Sequence, residues 1–225
     1  MDVKRVKIGI DILLTAALLL LMPYGMVGEA AHEWIGTAMF LLFVIHHILN
    51  RKWISHIRKG KYTAFRMVQT VLAFLILICI LGSMVSGIIL SRHVFSFIDI
   101  RGISVLAGRI HMICAYWGFV LMSLHLGIHW GMIQKMAGKL WKEPSKARTW
   151  TVKTAGAAFA LYGLYAFIKR DILNYLLMQV HFMYFDYSEP VVFYIFDYLA
   201  VMGMFIFIGY YCADKGLKAI GRKTK

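Results

Sequence analysis

Nine histidines are spread along a chain of 225 residues, and four of them recur with a chemically meaningful spacing. His32 and His46 are 14 residues apart, and so are His111 and His125. At 100° per residue, 14 steps end about 40° short of four helical turns. Both histidines of each pair therefore face nearly the same side of a helix, about 21 Å apart along its axis. Two such helices, pointing the same way and facing each other, offer an outer pair (His32, His111) and an inner pair (His46, His125). Neutral imidazoles from opposing helices suit the two axial positions of a haem iron, and bundle cores are where such sites are built. His47 competes with His46, because 15 steps end about 60° past the fourth turn. His129 competes with His125, or bonds a propionate or a quinone.

The elements that must position these residues are membrane helices. Hydrophobic types make up 60% of the chain and charged types 16%, with a mean hydropathy of +0.69. Soluble domains are about 45–50% apolar and about 25% charged, which excludes an ordinary cytosolic globule. Three cysteines without a C-x-x-C pair exclude a disulfide framework and a zinc ribbon. The absence of C-x-x-C-H means that any haem is held non-covalently, as b-type. A bilayer core takes about 20 apolar residues as helix. Six stretches are read as spans: Ile8–Val27, Ala31–Asn50, Met67–Leu90, Val105–Met132, the short Thr154–Ile168, and Val191–Cys212.

Net charge is +14, yet the basic residues cluster at 4–7, 51–66, 135–153 and 215–225, between the apolar runs. That pattern marks cytoplasmic helix ends rather than a nucleic-acid groove. Of the 25 Lys and Arg, 20 fall at the N-terminus, after span two, after span four and at the C-terminus. Both termini are accordingly expected in the cytoplasm of a multi-pass protein of a bacterial cytoplasmic membrane. Gly28-Glu29-Ala30 after the first apolar run resembles a signal-peptidase site, but the run is long enough to span and is read as an uncleaved helix. Leu173, Leu176, Leu177 and Val180 predict an outer amphipathic helix within residues 171–190.

Lesser candidates surround the histidines. Gly36, Gly118, Gly82, Ser86 and Gly87 are small residues where a flat macrocycle meets a helix, and equally suit ordinary membrane helix packing. Arg109 and Glu33 are candidate propionate or quinone contacts; Glu33 is also a candidate acceptor of a quinol proton. Asp11 is expected to pair locally with Lys7, one turn earlier. Glu29 and Asp99 read as solvated acids near the outer ends. No catalytic residue is assigned.

The runs His32-Glu-Trp-Ile-Gly…His46-His47 and His111-Met-Ile-Cys…His125-Leu-Gly-Ile-His129-Trp, with Ser86-Gly87-Ile-Ile-Leu-Ser91 between them, resemble the bacterial two-haem membrane cytochrome b superfamily, and most closely its small branch described only as a domain of unknown function. The resemblance covers roughly residues 5–135. It implies an all-α integral membrane fold: a four-helix haem-binding bundle over 1–135, followed over 136–225 by two further spans and the interfacial segment 171–190. It implies two haem b ligated by His32, His111, His46 and His125. It also implies electron transfer between the quinone pool, with a quinone bound, and an extracytoplasmic flavoprotein or haem protein. On this reading the chain is the electron-transfer subunit of a membrane oxidoreductase. The readings of other classes are a transition-metal transporter, since His and Met bind such ions, and a haem-free membrane anchor subunit.

Overall fold

A computed structural model describes residues 3–57, 59, 63–98, 100, 102–138, 145–180 and 182–212. Asp99, Arg101 and the basic cluster at 215–225 lie outside the described residues, as does part of the cluster at 135–153. Every regular element among the described residues is a helix: α1 (Val3–Leu21), α2 (Tyr24–Val27), α3 (Glu29–Leu49), α4 (Arg51–His56), α5 (Ala64–Leu90), α6 (Ser104–Gly138), α7 (Lys146–Lys169), α8 (Ile172–Leu176) and α9 (Val191–Ile208). Five stretches are long and apolar enough to cross a membrane: α3, α5, α6, α7 and Val191–Cys212. This is a multi-pass membrane protein, and its lipid contacts follow from those helices.

The first expected span is not among the five. Its helix stops at Leu21 because Pro23 follows, and a separate turn of helix covers Tyr24–Val27. The 19 residues of α1 also carry Lys4, Arg5, Lys7 and Asp11. Hydropathy alone runs on through Pro23 and so joins two elements that the backbone separates. Conversely, the short fifth stretch is part of a 24-residue helix, α7, which Ser145 opens by accepting the Arg148 amide hydrogen. The amphipathic helix expected within 171–190 is only five residues long. Asp171 (φ 53°) and Met178 (φ 57°) adopt left-handed backbone on either side of it, which no helix continues through. Ile172, Tyr175 and Leu176 are buried, whereas Leu173 and Leu177 are exposed.

The described chain forms two compact units that interleave along the sequence. Unit one comprises residues 1–61, 78–116 and 174–196; unit two comprises 62–77, 117–173 and 197–225. In unit one, α1 packs along α3. Tyr116 and Tyr175 stack with ring centroids 4.6 Å apart, and the Phe185 ring lies where a side chain on Gly25 would be.

In unit two, bare backbones meet. A Cβ on Gly127 would strike the Ile206 carbonyl, one on Gly209 the Leu124 carbonyl, and one on Gly163 the Ala200 carbonyl. Small residues at such crossings are how membrane helices approach closely. An acid is buried beside the α7–α9 crossing. Asp197 is 1% exposed and accepts hydrogen bonds from Tyr162 Oη (2.6 Å), Lys169 Nζ (2.8 Å) and Arg170 Nε (2.8 Å) and Nη2 (2.6 Å). In an apolar span a carboxylate needs partners of this kind.

Removing one member of such a cluster leaves charge uncompensated, at a cost of about 3–5 kcal/mol. Asp197→Ala is therefore expected to lower the thermal unfolding midpoint in detergent substantially. Arg170→Met added to that variant is expected to restore part of the loss. An Asp197→Ala protein as stable as the parent contradicts the assignment.

Candidate functional site

Unit one brings His32 and His111 together. His32 stands in the first turn of α3 and His111 in the second turn of α6. Their ring centroids are 6.0 Å apart with planes at 64°. The facing predicted for the outer pair therefore exists within one compact unit.

The two rings are held differently. The Nδ1 of His111 is 3.0 Å from the Ser83 carbonyl and 3.2 Å from Ser86 Oγ. A carbonyl only accepts, so Nδ1 carries the proton and donates it. Ser86 spends its own hydrogen on the Gly82 carbonyl at 2.6 Å, which leaves its oxygen free to accept from the ring. The lone pair of His111 is thereby placed on Nε2, the state a metal ligand requires. A Cβ on Gly87 would sit 3.4 Å from His111 Cε1, an ordinary contact, so this residue lies against the ring without having to be a glycine. His32 has the Leu21 backbone as its hydrogen-bond partner. Its Nδ1 is buried and makes no hydrogen bond among the described residues, while the Tyr24 ring meets the imidazole edge-on at 5.0 Å. Partial burial and then the Glu29 carboxylate hold the Tyr24 hydroxyl above its ordinary pKa, so it stays a neutral phenol.

Glu33 serves the backbone. Its carboxylate accepts hydrogen bonds from Ser91 Oγ (2.6 Å) and from the amides of Arg92 (2.8 Å), His93 (3.0 Å) and Val94 (2.8 Å). The loop after α5 is thus fastened to the residue next to His32. Glu29 lies on the surface with Arg92 at 3.6 Å and His93 at 4.0 Å. Arg109 is exposed on α6, and two residues before His111 means about 200° around the helix from it. Gly82 is required by Cys114, whose Sγ occupies the space of a Cβ there, and a Cβ on Gly36 would meet only Leu21.

The remaining sequence candidates divide between the units. His46 and His47 belong to unit one. His46 Nδ1 lies 2.8 Å from Asp11 Oδ1, and His47 Nδ1 lies 2.9 Å from the Phe43 carbonyl. Asp11 therefore pairs across helices, and Lys7 instead donates to Asn50 Oδ1 at 3.0 Å. The local pairing expected for Asp11 gives way because His46 of α3 and Asn50, which caps it, offer the two α1 residues better-placed partners. His125 and His129 belong to unit two, with ring centroids 4.8 Å apart, and His129 Nε2 lies 3.2 Å from Gln69 Nε2. Gly118 is buried in unit two. Among the described residues no three His, Cys, Asp or Glu gather as a metal-binding group; the arrangement offered is a facing pair of imidazoles.

Sequence reasoning missed Ser83, whose contribution is a backbone carbonyl with no side-chain signature. It also missed Asp197, although an acid inside an apolar span was signal enough.

Glu33→Ala is expected to expose the amides of Arg92, His93 and Val94 to faster hydrogen exchange while those in the middle of α5 stay protected. Unchanged exchange at the three amides shows that the clamp does not hold the loop.

No family model, no curated protein and no solved structure matches the chain. The functional reading therefore stands on the arrangement of these residues.

Proposed function

We propose that the chain is a membrane cytochrome b, with a haem held between His32 and His111. The observation that carries this reading is the 6.0 Å separation of the two rings. Two imidazoles facing each other from different helices at this separation are the residues that would hold a haem iron, which would supply the redox chemistry. Two further features fit such a group: the buried, unsatisfied Nδ1 of His32 and the clamped Nδ1 of His111. A buried unsatisfied nitrogen costs about 1–3 kcal/mol, and a bound group offers a way to offset it.

A bound haem supplies one-electron transfer at a potential tuned by its ligands and its burial. The chain's own residues perform the other tasks. Ser83 and Ser86 fix the His111 tautomer and ring plane. Glu33 fixes the backbone beside His32, and the apolar faces of α3, α5 and α6 keep the site in the membrane.

A second haem is proposed from the equal sequence intervals, with His46 or His47 and His125 or His129 as its ligands. Electron flow between the quinone pool and an extracytoplasmic flavoprotein or haem protein is proposed from the sequence resemblance, and both termini in the cytoplasm from the Lys and Arg distribution. Arg109 and Glu33 enter this proposal only as neighbours of the site: the one is exposed and the other is already bonded to the loop.

The purified protein is expected to show a b-type reduced-minus-oxidised spectrum. His32→Ala and His111→Ala should each lose one haem, and His93→Ala none. Full haem content in both of the first two variants, or no haem in the parent protein, would falsify the reading.

A further inference from the structure

We propose that the end of unit one at which α1 begins and α3 ends is a binding site for the headgroup of an anionic phospholipid. Two contacts set the register of the helices there. Lys7 donates to Asn50 Oδ1 at 3.0 Å, and Asp11 Oδ1 lies 2.8 Å from His46 Nδ1. Four residues forward along α1 thus match four residues back from Asn50, so the two helices run antiparallel at equal rise. Within the turn before Lys7, Lys4 and Arg5 therefore stand past the end of α3, at the height where Arg51 and Lys52 open α4. Two basic segments, 43 residues apart where Lys7 meets Asn50, are brought to one place.

Charge and surroundings select the occupant. Among the described residues of 3–21 and 46–57, five cations (Lys4, Arg5, Lys7, Arg51 and Lys52) stand with one carboxylate, that of Asp11, which is already bonded to His46. Lys4, Arg5, Arg51 and Lys52 are exposed. Trp53 and Ile54 follow them on α4, 39% and 44% exposed. A tryptophan at the end of a membrane helix sits at headgroup level, and long basic side chains carry their charge to that same level. Basic clusters beside membrane helices attract anionic lipid there. A free phosphate would meet the cations alone, whereas a phosphodiester with acyl chains meets the cations and the two apolar side chains together. Lys7 is half-buried, and its bond to Asn50 ties the two basic segments to each other. Cations that orient a helix by their number need no such tie.

The test is native mass spectrometry of the detergent-purified protein, stripped of lipid and titrated with phosphatidylglycerol or, separately, with phosphatidylcholine. Phosphatidylglycerol is expected to bind more tightly, and excess inorganic phosphate is expected not to displace it. Each basic residue near the surface contributes about fivefold in affinity for anionic lipid. Lys4→Gln with Arg5→Gln, and Arg51→Gln with Lys52→Gln, should therefore each weaken phosphatidylglycerol binding about 25-fold and leave phosphatidylcholine binding unchanged. Lys153→Gln, which removes an exposed cation of unit two, should leave both unchanged. Equal binding of the two lipids, displacement by phosphate, a loss in only one of the two double variants, a loss of both lipids together, or a comparable loss per charge in Lys153→Gln overturns the proposal. None of these outcomes involves the haem, so the cytochrome reading stands or falls apart from them.

Discussion

The hydrogen bond from His111 Nδ1 to the Ser83 carbonyl is the constraint on which the site depends. It joins α6 to α5 at the level where α3 begins. It sets which nitrogen of His111 carries the proton, and with Ser86 it sets the plane of the ring. One backbone carbonyl and one hydroxyl therefore determine where the ring points, and His32 meets it from α3. Without that fixed ring, the two histidines are simply polar groups in an apolar environment.

Polar groups in membrane helices are costly unless they are partnered. The two units meet that requirement in different ways. In unit two, Asp197 is saturated by Tyr162, Lys169 and Arg170, and the result is a closed network beside close backbone crossings. In unit one, Glu33 is saturated by the Ser91 hydroxyl and the amides of residues 92–94, and Asp11 is bonded to His46. Within unit one, His32 Nδ1 is buried without a hydrogen bond among the described residues. That nitrogen, beside a second imidazole, is what the proposed haem would engage.

Much of the helical architecture was legible in the sequence, because long apolar runs in water-free surroundings have little choice but helix. The outer histidine pair was legible for a related reason: a constant rotation per residue converts spacing into facing. What was not legible depends on the third dimension. Asp11 with Lys7 is a sound local pair until α3 supplies His46 and its C-cap supplies Asn50. The end of α1 was marked by Pro23, a conformational signal that a hydropathy reading passes over. Residues 171–190 hold leucines at helical spacing, but left-handed turns at Asp171 and Met178 leave room for only five helical residues. Ser83 acts through its carbonyl, which every residue has, so no residue type announces it.

The central claim is that His32 and His111 occupy the same iron. Electron spin echo spectroscopy on oxidised protein carrying [15N]histidine measures this directly, through the coupling of each iron to its axial nitrogens. The account predicts low-spin ferric iron coupled to two histidine nitrogens, with the coupling reduced to one nitrogen or lost in His32→Ala. Iron coupled to a single histidine in the parent protein, or a spectrum indifferent to His32, contradicts it.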